Sequence, residues 1–307
     1  MIETENVRRS YGGVVALDGV SLSVAAGESL GLVGTNGAGK TTLFRLLVGH
    51  ERPDAGSVRV AGVDPTDGVR VRERVGYLPE HVGFQPALTG REVLEYTAEM
   101  RGGSAAGTDT LLGVVGLADA ADRRVEGYSN GMNRRLGLAT ALAGDPEVLL
   151  LDEPTAGLDP GGVAAFNRVV NRVREDRDVT VVLSTHVLRE VEELCDRVAV
   201  LEEGDLRTVG TVDSVRRTAG ETVTVTARYA DSDAGRSALA DRLDREDAVA
   251  TLSTTPEGIE VTCDRERVTA VLSAVVGTDP EPDSIAVDEP GLEAAFREVV
   301  DLGGGTA

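Results

Sequence analysis

Residues 33–43 read VGTNGAGKTTL, and they hold the single lysine of a 307-residue chain that carries 31 lysines and arginines in total. An apolar run, SLGLV (29–33), precedes the stretch, and an apolar-periodic one, LFRLLVG (43–49), follows it. Strand, glycine-rich turn and helix, in that order, are the context in which the G-x-x-x-x-G-K-[ST] spacing becomes a phosphate cradle. Gly34, Gly39, Lys40 and Thr41 occupy its fixed positions, and Thr35, Asn36, Gly37, Ala38 and Thr42 complete the loop. Glycines let successive backbone N–H groups curl around phosphate oxygens, the helix start adds positive potential, and the Thr41 hydroxyl is placed to meet a magnesium ion. Geometry demands lysine at position 40. A compact ammonium slips between β and γ phosphates inside a tight cradle, whereas a planar guanidinium fork suits flat, bidentate partners.

The bulk composition narrows the classes. A 41% hydrophobic content suits a water-facing globular fold, and 3% aromatic content without tryptophan argues against a base-stacking surface. The formal charge of -21 argues against nucleic acid as a partner. Arginine almost everywhere lysine could stand fits either a GC-rich genome or salt adaptation, and the 52 acidic residues, which codon bias does not explain, point to a halophilic protein whose negative surface is screened by salt. Cys195, on the apolar side of VLREVEELCDR with Leu188, Val191 and Leu194, and Cys263 read as packing residues in a reducing compartment. No apolar run approaches bilayer length and MIETENVRRS lacks a signal-peptide layout, so the expectation is cytoplasmic.

Four later segments specify the reaction. VLLLDEP (148–154) is a wholly apolar strand ending in two carboxylates, of which Asp152 is expected to hold magnesium through water and Glu153 to polarise the attacking water. YSNGM (128–132) precedes the helical pattern Met132, Leu136, Ala139, Leu142, which puts Ser129 at a helix N-terminus. LDEPTAGLDP (151–160) and STH (184–186) follow. In this order the segments resemble the ATP-binding cassette family over about residues 2 to 212. The resemblance implies that Tyr11 stacks on adenine, that Glu80 in GYLPEH takes the Q-loop position, and that His186 is the switch residue. It implies further that Ser129, Asn130 and Gly131 touch ATP held by a second copy, and that Asp159 belongs to the D-loop. Lys40, Glu153 and His186 become the catalytic set, and Thr41, Asp152 and Glu80 the magnesium-facing one. Two departures, Glu80 for the Q-loop glutamine and Asn130-Gly131-Met132 in the signature, look like those of exporter-type ATPases.

The implied fold is α/β: a P-loop NTPase nucleotide-binding domain of the cassette type over 1–212, with an α-helical subdomain at about 88–143 that opens on the capping box Thr89–Glu92. In the family that subdomain meets the membrane partner. From about 220 the pattern turns to β-α-β-β-α-β, expected for a small ferredoxin-like α+β domain over 220–302. Residues 219–307 hold 7 arginines and 19 acidic residues, read as a solvated face, and the end GGGTA is expected to be disordered. The expected partners are a separate membrane permease at the inner face of the cell membrane and a second copy that closes over two Mg-ATP. The variants resemble antibiotic-efflux ATPases and the ATPase serving nitrous oxide reductase maturation. A soluble cassette ATPase without a transport role, and a P-loop kinase with an arginine-bearing lid, remain open at this point.

Overall fold

SLGLV forms β3 (Ser29–Val33), VLLLD forms β6 (Val148–Asp152) and TVVLST forms β7 (Thr180–Thr185), and every residue of the three strands is buried. The computed structural model describes residues 1–101, 105–219, 222–229, 237, 239–240, 242–243, 251–255, 258–277, 279, 281–288 and 291–303. They divide into two compact units, Met1–Val212 and Asp213–Ala307.

The main sheet of the first unit runs β5-β6-β7-β3-β8-β9, with β5 at Val75–Leu78, β8 at Arg197–Glu202 and β9 at Asp205–Thr211. All pairings are parallel except β8 with β9, which are joined by a turn at Glu203 (φ 47°) and Gly204 (φ 86°). Parallel strands covered on both faces read as continuous apolar runs, as these do.

A second, antiparallel sheet, β2-β1-β4, is built from β1 (Ile2–Tyr11), β2 (Val14–Val24) and β4 (Ala55–Val60). Helix α1 (Lys40–Leu47) is held between the two sheets, and Leu43, Phe44, Leu46 and Leu47 join Ile2, Leu22, Val60, Leu30, Leu32 and Leu150 in one core. The loop before α1 therefore rests on rigid elements on both sides.

Helix α2 (Val69–Arg74) leads into β5, and α3 (Gly90–Met100), α4 (Thr108–Val114) and α5 (Asn130–Leu142) pack together. Both capping-box bonds of α3 form: the Thr89 amide donates to Glu92 at 2.7 Å and the Glu92 amide to the Thr89 hydroxyl at 3.2 Å. The sequence pattern marks one apolar face on α5, yet Arg134, Gly137, Leu138 and Ala141 are buried too. The helix is wedged against β5 as well as its helical neighbours, and side chains pointing either way meet protein. Helix α6 (Pro160–Asp176) buries Phe166, Val170 and Val173. Helix α7 (Leu188–Leu194) ends at Cys195, whose thiol is pushed up by burial.

After α8 (Val212–Arg216), the second unit pairs β10 (Thr222–Arg228), β11 (Thr251–Thr255), β12 (Gly258–Asp264) and β13 (Ser284–Asp288) in the order β11-β12-β10-β13, all antiparallel. The first strand thus lies between the third and fourth. Helix α9 (Val268–Val276) covers β10 and β12 through Val271, Ala274 and Val275, with Cys263 in the same core, and α10 (Leu292–Gly303) closes the chain. Most of the helical pattern expected between β10 and β11, and residues 304–307 of the end expected to be disordered, lie outside the described residues. No helix among the described residues is long and apolar enough to cross a membrane.

Leu150 is fully buried between these layers. Leu150→Ala is expected to cost the first unit about 2–5 kcal/mol, read as a lower urea midpoint for its transition in molar KCl.

Candidate active site

The C-terminal ends of β6, β7 and β3 lie side by side and open into a cleft of about 420 Å³, lined by the loop 35–42, Ala16, Glu80, Glu153, Ala156 and His186. A larger cavity of about 470 Å³ elsewhere in the first unit, walled by Val48, Val71, Tyr77 and Met100 among others, is more apolar and holds none of the motif side chains. The chemistry points to the smaller one.

Backbone contact shapes the loop. A Cβ at Gly34 would collide with the Leu201 carbonyl oxygen, and one at Gly39 (φ 107°) with that of Ala16. Lys40, 6% exposed, points inward. Its amine donates to the carbonyls of Gly34 at 2.7 Å and Thr35 at 3.3 Å and lies 3.3 Å from Glu153 Oε1. Three oxygens meet the three donors of one ammonium.

Asp152 ends β6 fully buried. Ser184 donates to its Oδ1 at 2.6 Å, the Tyr77 hydroxyl approaches Oδ2 at 3.4 Å, and the Thr41 hydroxyl bonds it as well. Burial raises the Asp152 carboxyl above its ordinary value, the two hydroxyls of Ser184 and Thr41 oppose the rise, and the charges of Glu153 and Glu80 add to it. Tyr77 is held protonated, first by burial and then by Asp152.

Glu153 adopts a left-handed backbone (φ 43°). Its amide donates to the Ser184 hydroxyl at 3.0 Å and to the Ser184 carbonyl at 3.1 Å, and its Oε2 lies 2.9 Å from His186 Nδ1. Behind them Glu190, 3% exposed, accepts from the hydroxyls of Thr155 and Thr185, the latter at 2.9 Å. Burial raises its carboxyl and both hydroxyls pull it back. One carboxylate thereby ties the segment after Glu153 to the residue before His186.

The structure brings Thr35 through Thr42, Glu80, Glu153 and His186 into one cleft with Asp152 beneath. It does not bring the other expected residues there. Tyr11 stands on β1 with Arg9 over its ring at 4.8 Å and its hydroxyl on Glu51. Ser129 caps α5, accepting from the Met132 amide at 3.3 Å, and Asn130 donates to the Gly157 carbonyl at 2.8 Å. Asp159 caps α6, accepting from the Gly162 amide at 2.6 Å. The turn at Gly131 and the 157–159 segment are neighbours on this second surface.

Four residues with a part in the site escaped the sequence reading: Tyr77, Arg134, Ser184 and Glu190. Ser184 had a signal, being a polar residue in the last turnless stretch of an apolar strand. Arg134 had none, because NRR inside a helical pattern reads as a solvated pair.

Residues 17–156 match the family model described as ABC transporter. The Nod factor export ATP-binding protein I of Paraburkholderia xenovorans is 45% identical over 66% of this chain and 68% of its own. The daunorubicin resistance ATP-binding protein DrrA3 of Streptomyces coeruleorubidus is 37% identical over 96% of this chain and 94% of its own. Among solved structures, cbiO1 of Clostridium perfringens, part of the ABC transporter complex cbiONQ, superposes with a TM-score of 0.64 at 27% identity, covering 70% of this chain and 89% of its own.

Lys40→Arg keeps the charge but loses the fit to three converging oxygens. It is expected to weaken nucleotide affinity at least about tenfold, measured by titration with a fluorescent ATP analogue.

Proposed function

The chain belongs to the ABC transporter family of ATP-binding subunits and is an ATPase, and on that premise we propose that ATP lies with its β and γ phosphates in the loop 34–42. Lys40 neutralises the phosphate tail, loop amides and the start of α1 bind its oxygens, and the adenine extends beyond the cleft to stack on the face of Tyr11 that Arg9 leaves uncovered. Glu153 orients and polarises the attacking water, and His186, bonded to the same carboxylate, monitors the γ-phosphate end. The observation that carries this reading is the convergence of Lys40 and His186 on Glu153, at 3.3 and 2.9 Å, in the mouth of a loop with no room for a side chain at 34 or 39.

The residues fit a magnesium ion. Thr41 and Asp152 already share a hydrogen bond, Glu80 lines the same cleft, and three carboxylates, Asp152, Glu153 and Glu80, gather there with charge that a dication would relieve. Few protein donors suit an ion that keeps waters and binds phosphate oxygens. When bound, it would neutralise charge developing on the transferred phosphoryl group.

Ser129, Asn130, Gly131 and Asp159 lie outside the cleft, which supports a nucleotide sandwich in which a second copy presents them to ATP. A membrane permease is the second partner. Helix α3 exposes Tyr96 (61%) and Met100 (70%) one turn apart, beside the 470 Å³ cavity whose mostly apolar wall includes Met100 and whose charged groups are Arg72, Glu73 and Arg101. Such a surface suits a docked apolar element. The subunit then works in the cytoplasm, peripheral at the inner face of the cell membrane, and powers export. Two relatives named for export or drug resistance support that direction, one of them aligned along nearly the whole chain. The acidic surface supports a salt-adapted host.

Glu153→Gln is expected to lower hydrolysis about 10²-fold or more while ATP-bound dimers accumulate, followed by phosphate release and size-exclusion chromatography. Unchanged turnover would remove Glu153 from its role. The melting temperature is expected to rise with KCl up to molar concentration, as screening relieves self-repulsion, and a maximum at low salt would refute salt adaptation.

A further inference from the structure

Arg134 is 3% exposed and makes no ion pair among the described residues, an unusual position for a guanidinium. Its Nη1 donates to the Pro79 carbonyl at 2.7 Å and its Nη2 to the Glu153 carbonyl at 2.6 Å. Burial works against its charge, with Glu80, Asp152 and Glu153 supporting it from a distance. Burying a charged fork to hold two main-chain oxygens is a poor way to gain stability, since an apolar side chain could fill the space without the desolvation cost. What the fork supplies is fixed geometry. The two oxygens belong to the residue before Glu80 and to Glu153 itself, the two carboxylates that line the cleft.

Glu153 needs such fixing. Its left-handed backbone is costly for a residue with a Cβ and persists only where the surroundings impose it. The Ser184 hydroxyl and carbonyl hold its amide, and Arg134 holds its carbonyl. With both sides clamped, the side chain is aimed at Lys40 and His186. The clamp is carried by α5, the helix that Ser129 caps.

We propose that Arg134 is a positioning residue that locks the main chain of Glu153 and couples it to the Glu80 segment and to the seating of α5. The inference rests on Glu153 being the group that polarises water. A shift of α5 then moves the Pro79 and Glu153 carbonyls together, so the helix begun by Ser129 and the hydrolytic carboxylate move as one unit.

The test compares steady-state hydrolysis and ATP-analogue affinity of the full chain for Arg134→Lys, Arg134→Gln, Glu153→Gln and the double variant Arg134→Lys/Glu153→Gln. Arg134→Lys, able to reach one carbonyl only, is expected to lower kcat about tenfold, and Arg134→Gln about a hundredfold, with affinity within about twofold of wild type because the Lys40 cradle is untouched. The double variant is expected to be no slower than Glu153→Gln, because the arginine acts through that carboxylate. A wild-type kcat for Arg134→Lys, a loss confined to affinity, or losses that multiply in the double variant would each overturn the proposal. Should Arg134→Gln fail to fold, the lysine variant decides alone, its folding checked by circular dichroism. Wild-type turnover in Glu153→Gln would instead sink the reading of Glu153, and with it the premise. A slow Glu153→Gln beside a normal Arg134→Lys removes Arg134 alone.

Discussion

The contact on which the rest of the cleft depends is the Lys40 ammonium against the carbonyls of Gly34 and Thr35 and the Glu153 carboxylate. It closes the glycine loop over its own lysine and spans from the strand that begins the loop to the strand that carries the acid. Among the described residues, Lys40 alone has donors aimed at both. A chain otherwise committed to arginine keeps one lysine because three oxygens at short range from three directions match a tetrahedral ammonium and not a planar fork. On the proposed reading, phosphate oxygens entering the cleft would compete with Glu153 for the same amine, so filling the cradle and freeing the acid for water would be linked through one nitrogen.

That contact exists because of strand order. Inserting β7 between β3 and β6 puts Ser184, Thr185 and His186 between the loop and the two carboxylates. Ser184 consequently donates to Asp152 and accepts from the Glu153 amide, and His186 reaches Glu153 from the other side. The strands are buried on both faces, so a one-residue slip in register would carry polar ends into the core and is opposed by the whole sheet. Precision at the site is inherited from packing several layers away.

What the amino-acid sequence disclosed is what depends on neighbours along the chain. The loop, the acidic end of β6 and the capping box at Thr89 rest on spacings of a few residues, and the capping bonds form as that spacing implies. The hidden part is long-range. Arg134 meets a carbonyl 55 residues away, Glu190 a threonine 35 residues away and Ser184 an aspartate 32 residues away. Each depends on which strand lies beside which, and apolar periodicity reports burial without reporting neighbours. The burial of α5 around much of its circumference was illegible for the same reason: a helix pattern records one apolar face, while β5 supplies the second surface from elsewhere in the chain.

The net charge of -21 poses a question that this geometry answers, since ATP is itself an anion. Surface carboxylates repel it across distances set by salt, and at molar ionic strength the screening length shrinks to about 3 Å. Only charges inside the cleft then decide binding. There the formal charges run against a phosphate: Lys40, loop amides and the start of α1 stand on one side, and three carboxylates, Glu153, Glu80 and Asp152, on the other. A site with more carboxylates than cations does not draw phosphate in by field alone and must select it by fit, through amides with fixed directions and an amine already desolvated. Fixing directions is the common service of the two glycines, Ser184 and Arg134. A highly acidic chain can therefore hold a polyanion where its backbone, and not its net charge, does the recognising.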